Sequence, residues 1–175
     1  EMEELEQIFK NHGSQIRSLN LSVRSMSLAN HDGISKKINE YCSSCPNLHH
    51  LMITSRSITG EDLDFSSLKK LKSLDLSDCL LTKGPPLPKN LNSLNLSNCN
   101  KVKKLLENWP PHLRELDISG MNLTSEARTK LPDTLEKLRL SCSGYDNSTL
   151  DSNLMPDSLI ELDLSGSNIE ELSDL

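Results

Sequence analysis

The chain has 175 residues, enough for one domain with a real core, a formal net charge of −6 and a pI near 5.4. Aromatic residues make up only 3% of it, which argues against a base-stacking nucleic-acid surface and against an aromatic-lined small-molecule pocket. The acidity argues against nucleic acid and membrane as partners, since the one basic cluster is Lys101, Lys103 and Lys104, and no apolar run approaches the roughly 18 residues of a spanning helix.

Residues 2–12, MEELEQIFKNH, place Leu5, Ile8 and Phe9 on one helical face, with acids near the start and Lys10 near the end. Gly13 is expected to stop this helix. The first domain boundary falls here, with 1–15 as a helical cap over the open edge of the first strand and 16–175 as the body of the domain. Glu1 is not an initiator methionine, so a longer or processed protein is expected, and no secretory leader is read at the start.

At Ile16 an eleven-residue frame begins, L-x-x-L-x-L-x-x-C/N-x-L. It recurs at Leu48, Leu71, Leu91, Leu113, Leu135 and Leu159, at spacings of 32, 23, 20, 22, 22 and 24 residues. The first, fourth and sixth slots are apolar in all seven copies, 21 of 21. Leu and Ile are 42 of 175 residues, so chance would fill roughly five. Apolar residues at i and i+3 also fit a helix face. The fourth and sixth slots nevertheless alternate about a polar residue as a strand does. Ser or Thr follows in every copy (Ser22, Thr54, Ser77, Ser97, Ser119, Ser141, Ser165), where its hydroxyl can satisfy backbone groups of the next turn.

This pattern resembles the leucine-rich repeat family over roughly residues 16–171. The resemblance implies an α/β solenoid of about seven short parallel strands on a concave face, with the N-terminal helical cap at one end. Physics points the same way: one strand per repeat cannot bury its leucines alone, but stacked copies share a continuous core. The ninth slot departs from the family, which carries Asn or Cys there. Cys79 and Cys99 match; Arg24, Arg56, Met121, Ser143 and Ser167 do not. Asn100, Asn122 and Asn168 stand one place later, which suggests a turn shifted by one residue.

After the first strand comes a longer connection, with Asp32-Gly33 as a turn and a helix from Ile34 to Tyr41 whose face is Ile34, Ile38 and Tyr41. The stretch CPNLHHLMI, 45–53, and the lead-in FKNHGSQIRSLNLS resemble F-box/leucine-rich-repeat proteins, substrate receptors of cullin-RING ubiquitin ligases. From Leu71 on, Pro precedes the strands: Pro85, Pro86 and Pro88; Pro110 and Pro111; Pro132; Pro156. Pro there forbids a helix running into the strand, so the convex side is expected to be thin, with a helical turn or two at Glu126 to Leu131. At the end, Leu172 and Leu175 read as the convex side of the seventh repeat or the approach to an eighth, so either the chain continues or a partner covers Leu162 and Leu164.

The five cysteines (42, 45, 79, 99, 142) form no disulfide framework, which favours a reducing intracellular compartment, cytoplasmic or nuclear. Sequons at Asn20, Asn95, Asn122 and Asn147 favour the alternative, a secreted protein. Cys42 and Cys45 supply two of the four ligands a closed zinc site needs, so buried structural thiols are the better reading. The five histidines make no defensible spacing with an acid and a nucleophile, and no Gly-rich phosphate loop occurs. No catalytic activity and no cofactor are expected.

What remains is the concave face. The fifth slot reads Asn20, Met52, Asp75, Asn95, Asp117, Arg139, Asp163; the third reads Ser18, His50, Ser73, Ser93, Glu115, Lys137, Glu161. Of these, Asp75, Asn95, Asp117, Arg139, Asp163, Glu115, Lys137 and Glu161 are the candidate binding residues. They suit a protein partner that presents a basic or polar segment, as part of a ubiquitin ligase receptor or, alternatively, a scaffold or an extracellular recognition protein. The oligomeric state is not legible.

Overall fold

The computed structural model describes residues 2–21, 31–102, 109–121, 131–143 and 155–168. Outside them fall Ser22, Arg24, Lys103, Lys104, Asn122, Asn147, Leu172, Leu175 and all but the last residue of the helical turn expected at Glu126 to Leu131. Seven strands form a single all-parallel sheet in sequence order: β1 Ser18–Asn20, β2 His50–Met52, β3 Ser73–Asp75, β4 Ser93–Asn95, β5 Glu115–Asp117, β6 Lys137–Arg139 and β7 Glu161–Asp163. Each strand occupies the third to fifth slots of its frame. The register pairs like slots throughout, for example Leu74 with Leu94 and Leu94 with Leu116. The sheet is therefore the wall of a solenoid of stacked coils.

The slot pattern explains the burial. The apolar residues of the first slot (Leu71, Leu91, Leu113, Leu135), the fourth (Leu74, Leu94, Leu116, Leu138) and the sixth (Leu76, Leu96, Ile118, Leu140) are all buried in one continuous core. Each such side chain contributes about 1.5–3 kcal/mol on leaving water. The last repeat is looser, with Leu159 and Leu164 partly buried and Leu162 38% exposed.

Each strand is approached through the same turn. The N–H of the first slot donates to the carbonyl three residues earlier: Leu91 to Pro88, Leu113 to Pro110, Leu135 to Pro132 and Leu159 to Pro156. Proline suits that place because only its carbonyl is used there. No helix occurs in residues 76–92, so the connection after β3 is extended, as the prolines predict.

The helices differ in detail from expectation. Helix α1, Met2–His12, runs where predicted, but only Phe9 is buried; Leu5 and Ile8 are 46% and 49% exposed. Phe9 stacks on Tyr41 with ring centroids 4.4 Å apart, and Lys37 bridges to Glu6, so α1 leans on the second helix. The α-helix stops at His12, directly before Gly13 as expected, and no left-handed cap follows. Gly13 opens a 3₁₀ turn, Gly13–Gln15, and is glycine because a Cβ there would collide with the Ser44 carbonyl. Helix α2 spans His31–Ser43, so Asp32-Gly33 lies in its first turn and is not a turn before it. Ile38 is buried, with Ile34 and Tyr41 packed partly against the core.

Candidate functional site on the concave face

The strands are only three residues long, so the backbone leaves the sheet at the sixth slot and must be held by other means. The fifth slot does much of this. Asp75, Asn95, Asp117 and Asp163 each accept the N–H two residues on through Oδ1, from Ser77, Ser97, Ser119 and Ser165, all at 2.9 Å. These are Asx turns. The seventh-slot serine was expected to serve the turn through its hydroxyl; it is chiefly its backbone N–H that is used. The turn then passes through the left-handed region at the eighth slot, with φ of 58° at Asp78, 61° at Asn98, 68° at Gly120, 53° at Cys142 and 68° at Gly166. Asp, Asn and Gly tolerate that conformation; Cys142 is the exception.

The ninth slot closes the turn from inside. Cys79 Sγ donates to the Ile53 carbonyl at 3.3 Å and Cys99 Sγ to the Leu76 carbonyl at 3.2 Å. Ser143 Oγ donates to the Ile118 carbonyl at 3.2 Å and Ser167 Oγ to the Leu140 carbonyl at 3.5 Å. Each acceptor is the sixth slot of the preceding repeat. Ser143 and Ser167 therefore do what cysteine does, and the turn is not shifted towards Asn100 or Asn168. Met121 and Arg56 bring no such donor; Met121 is simply buried.

The cysteines are structural. Cys42, Cys45, Cys79 and Cys99 are buried and unpaired, and Cys142 is exposed. Burial pushes the Cys42 thiol up to about 12, Cys79 to about 11 and Cys99 to about 12, and raises Cys45 as well. Thiols held protonated in this way are poor nucleophiles and poor metal ligands. No group of three or more metal-ligating side chains occurs among the described residues.

The eight candidate residues lie in two columns across β3 to β7. Asn95 Nδ2 donates to Asp75 Oδ2 at 3.1 Å, so the two are linked side by side while each also caps its own turn. In the last three strands, Lys137 reaches Glu115 at 3.8 Å and Glu161 at 3.5 Å, and Arg139 reaches Glu161 at 3.6 Å. All four side chains of this network are roughly half-exposed. Hydrogen bonds from the Ser165 backbone and hydroxyl and from Ser141 hold the Asp163 carboxyl below its usual range, with Arg139 adding to the effect. Five carboxylates (Asp75, Glu115, Asp117, Glu161, Asp163) face two cations, so the two columns are net acidic. In the first two strands the same columns hold only Ser18, Asn20, His50 and Met52. Arg114 and Glu136, the residues just before β5 and β6, form a further pair at the margin.

A model of the Leucine Rich Repeat matches residues 70–91, the span of one full copy from just before Leu71 to Leu91. Seven such copies stack in register. The fold is that of a leucine-rich repeat solenoid. The chain is similar over 95% of its length to a crystal structure of a TLR13–ssRNA13 complex, with a TM-score of 0.58 and 22% identity. An internalin, inlF from Listeria monocytogenes, aligns over 94% of the repeat chain at 17% identity and a TM-score of 0.44. The chain spans 28% of the length of the first of these and 59% of the second. No curated protein sequence matches it. The likeness concerns the fold; the geometry of the columns belongs to this chain.

Proposed function

We propose that this repeat protein is a non-catalytic recognition module that holds a protein partner on its concave face, through Asp75, Asn95, Asp117, Arg139, Asp163, Glu115, Lys137 and Glu161. The observation that carries the reading is the register. It aligns the third and fifth slots of consecutive strands into two half-exposed columns with five carboxylates against two cations. Such a surface favours a segment with net positive charge and sets its orientation and rate of arrival more than its affinity. The same balance disfavours nucleic acid, whose phosphates need cations to neutralise them.

The test is affinity capture from a cell lysate with the wild-type chain beside a Glu115→Gln/Asp117→Asn/Glu161→Gln/Asp163→Asn variant. These amides remove charge while keeping the turn caps. Partners lost with the variant support the concave site. Partners recovered undiminished would move the interface to the convex side or the ends.

The finer reading is a substrate receptor of a ubiquitin ligase. Its support is the likeness of 45–53 to the F-box/leucine-rich-repeat proteins, and it requires an F-box elsewhere in the protein. Cullin-RING subunits in the captured set, from the full-length protein only, are the expected result. An intracellular location, cytoplasmic or nuclear, accords with four buried unpaired thiols. It also accords with Asn95, whose amide nitrogen already donates to Asp75 on the partly buried concave strands. A deglycosylation gel shift in protein made by a secreting cell would count against it.

A further inference from the structure

The charges of the last three strands are arranged in order. Strand β5 presents Glu115 and Asp117, β6 presents Lys137 and Arg139, and β7 presents Glu161 and Asp163, with the third and fifth slots of each paired in register to the next. The surface is thus an acidic strand, a basic strand and a second acidic strand. We infer that the occupant of this stretch is an α-helix of a partner protein, laid across the strands along the solenoid, whose contacting face reads basic, acidic, basic. This deepens the concave-face reading and rests on it.

Spacing selects the helix. Adjacent strands lie about 4.8 Å apart, so the three charge positions fall at about 0, 4.8 and 9.6 Å. A helix rises 1.5 Å per residue, so side chains at i, i+3 and i+7 share a face at about 0, 4.5 and 10.5 Å. An extended peptide repeats one face every two residues, at about 0, 6.7 and 13.4 Å, and misses the third position by almost a full strand spacing. A helix running across the sheet keeps all three in step.

The existing ion pairs do not close the surface to such a partner. The Lys137 contacts to Glu115 and Glu161 and the Arg139 contact to Glu161 are long, at 3.5–3.8 Å, and solvent-exposed. Exposed pairs of this kind contribute little, so exchanging them for intermolecular ones is nearly free of cost. The central cations do set specificity, since a third basic residue on the partner would face Lys137 and Arg139 and be repelled.

The probes are short Ala-rich helical peptides with Lys, Glu and Lys at i, i+3 and i+7, or with Lys at all three places, measured by fluorescence anisotropy at low salt. The wild-type chain is expected to bind the Lys-Glu-Lys peptide about tenfold tighter than the all-Lys peptide, the ratio produced by one like-charge mismatch of about 1.4 kcal/mol. The Lys137→Glu/Arg139→Glu variant is expected to reverse that order. All-Lys binding equal to or tighter than Lys-Glu-Lys by the wild type overturns the ordered-charge inference and leaves the acidic groove standing. Equal binding of a Lys-Glu-Lys peptide with a central proline overturns the helix. No binding of any peptide overturns the inference too; whether the groove itself falls is then decided by the capture experiment.

Discussion

Asp117 is the place to separate what a carboxylate does for the fold from what it does for a partner. Its Oδ1 accepts the Ser119 N–H at 2.9 Å in a partly buried turn. Asp117→Ala leaves that N–H without its acceptor, at a cost of about 1–2 kcal/mol. For a chain of this size each kcal/mol moves Tm by about 2–4 °C, so a fall of about 2–8 °C is expected. Asp117→Asn should melt with the wild type, because Asn95 already performs the same cap one repeat earlier, also at 2.9 Å. Asp117→Lys should fall at least as far as alanine, since it loses the cap and adds a cation beside Arg139. Thermal melts followed by circular dichroism at neutral pH decide it. If the alanine and asparagine variants melt together, the Asx turns carry no weight in this fold. If the order holds, any binding lost by Asp117→Asn is a loss of charge alone.

Other expectations follow from the same contacts. Ser143→Ala should cost about 1–2 kcal/mol by stripping the donor from the Ile118 carbonyl, whereas Ser143→Cys should be near neutral; chemical denaturation curves compare the two. A thiol reagent at pH 8 should label Cys142 quickly and the four buried cysteines only on unfolding, so rapid labelling of more than one thiol per native chain would contradict the packing. Asp163 has a carboxyl lowered from its ordinary value of 3.8, so the native state keeps it ionised to lower pH than the unfolded chain does. Its contribution to stability is therefore complete above that value and lost as pH falls through the lower folded one. Asp163→Asn should flatten the acid limb of the stability curve below pH 3.8, read from melts across that range.

The strands, their order and their register were legible in the sequence because three apolar slots repeat with the side-chain alternation of a strand. A slip of one residue would have turned Leu74, Leu94 and Leu116 to water. The turns were legible only in part. Asp75 and Asp117 looked like surface charges because alternation points them outward, and their second role depends on the strand ending at that residue, which no periodicity marks. Ser143 and Ser167 looked like departures from the ninth-slot pattern because residue names were compared, whereas the turn asks only for a small buried donor. The run of Asp78, Asn98, Gly120 and Gly166 at the eighth slot was the missed signal, being the residue set that a left-handed position selects. At the N-terminus a helical wheel groups Leu5, Ile8 and Phe9 on one face of α1 but does not give its depth, and of the three only Phe9, stacked on Tyr41, is buried.

The double duty of the fifth slot limits what mutation can explore there. A residue that must cap the turn is confined in practice to Asp or Asn, so that column can vary its charge but scarcely its shape. The third slot carries no such obligation, and its Ser, His, Glu and Lys residues are free to change in size and sign alike. Divergence toward new partners should therefore accumulate in the third column, with the fifth acting as a two-letter switch beside it. Arg139 is the one charged residue that has escaped the rule, and it sits between two residues that have not.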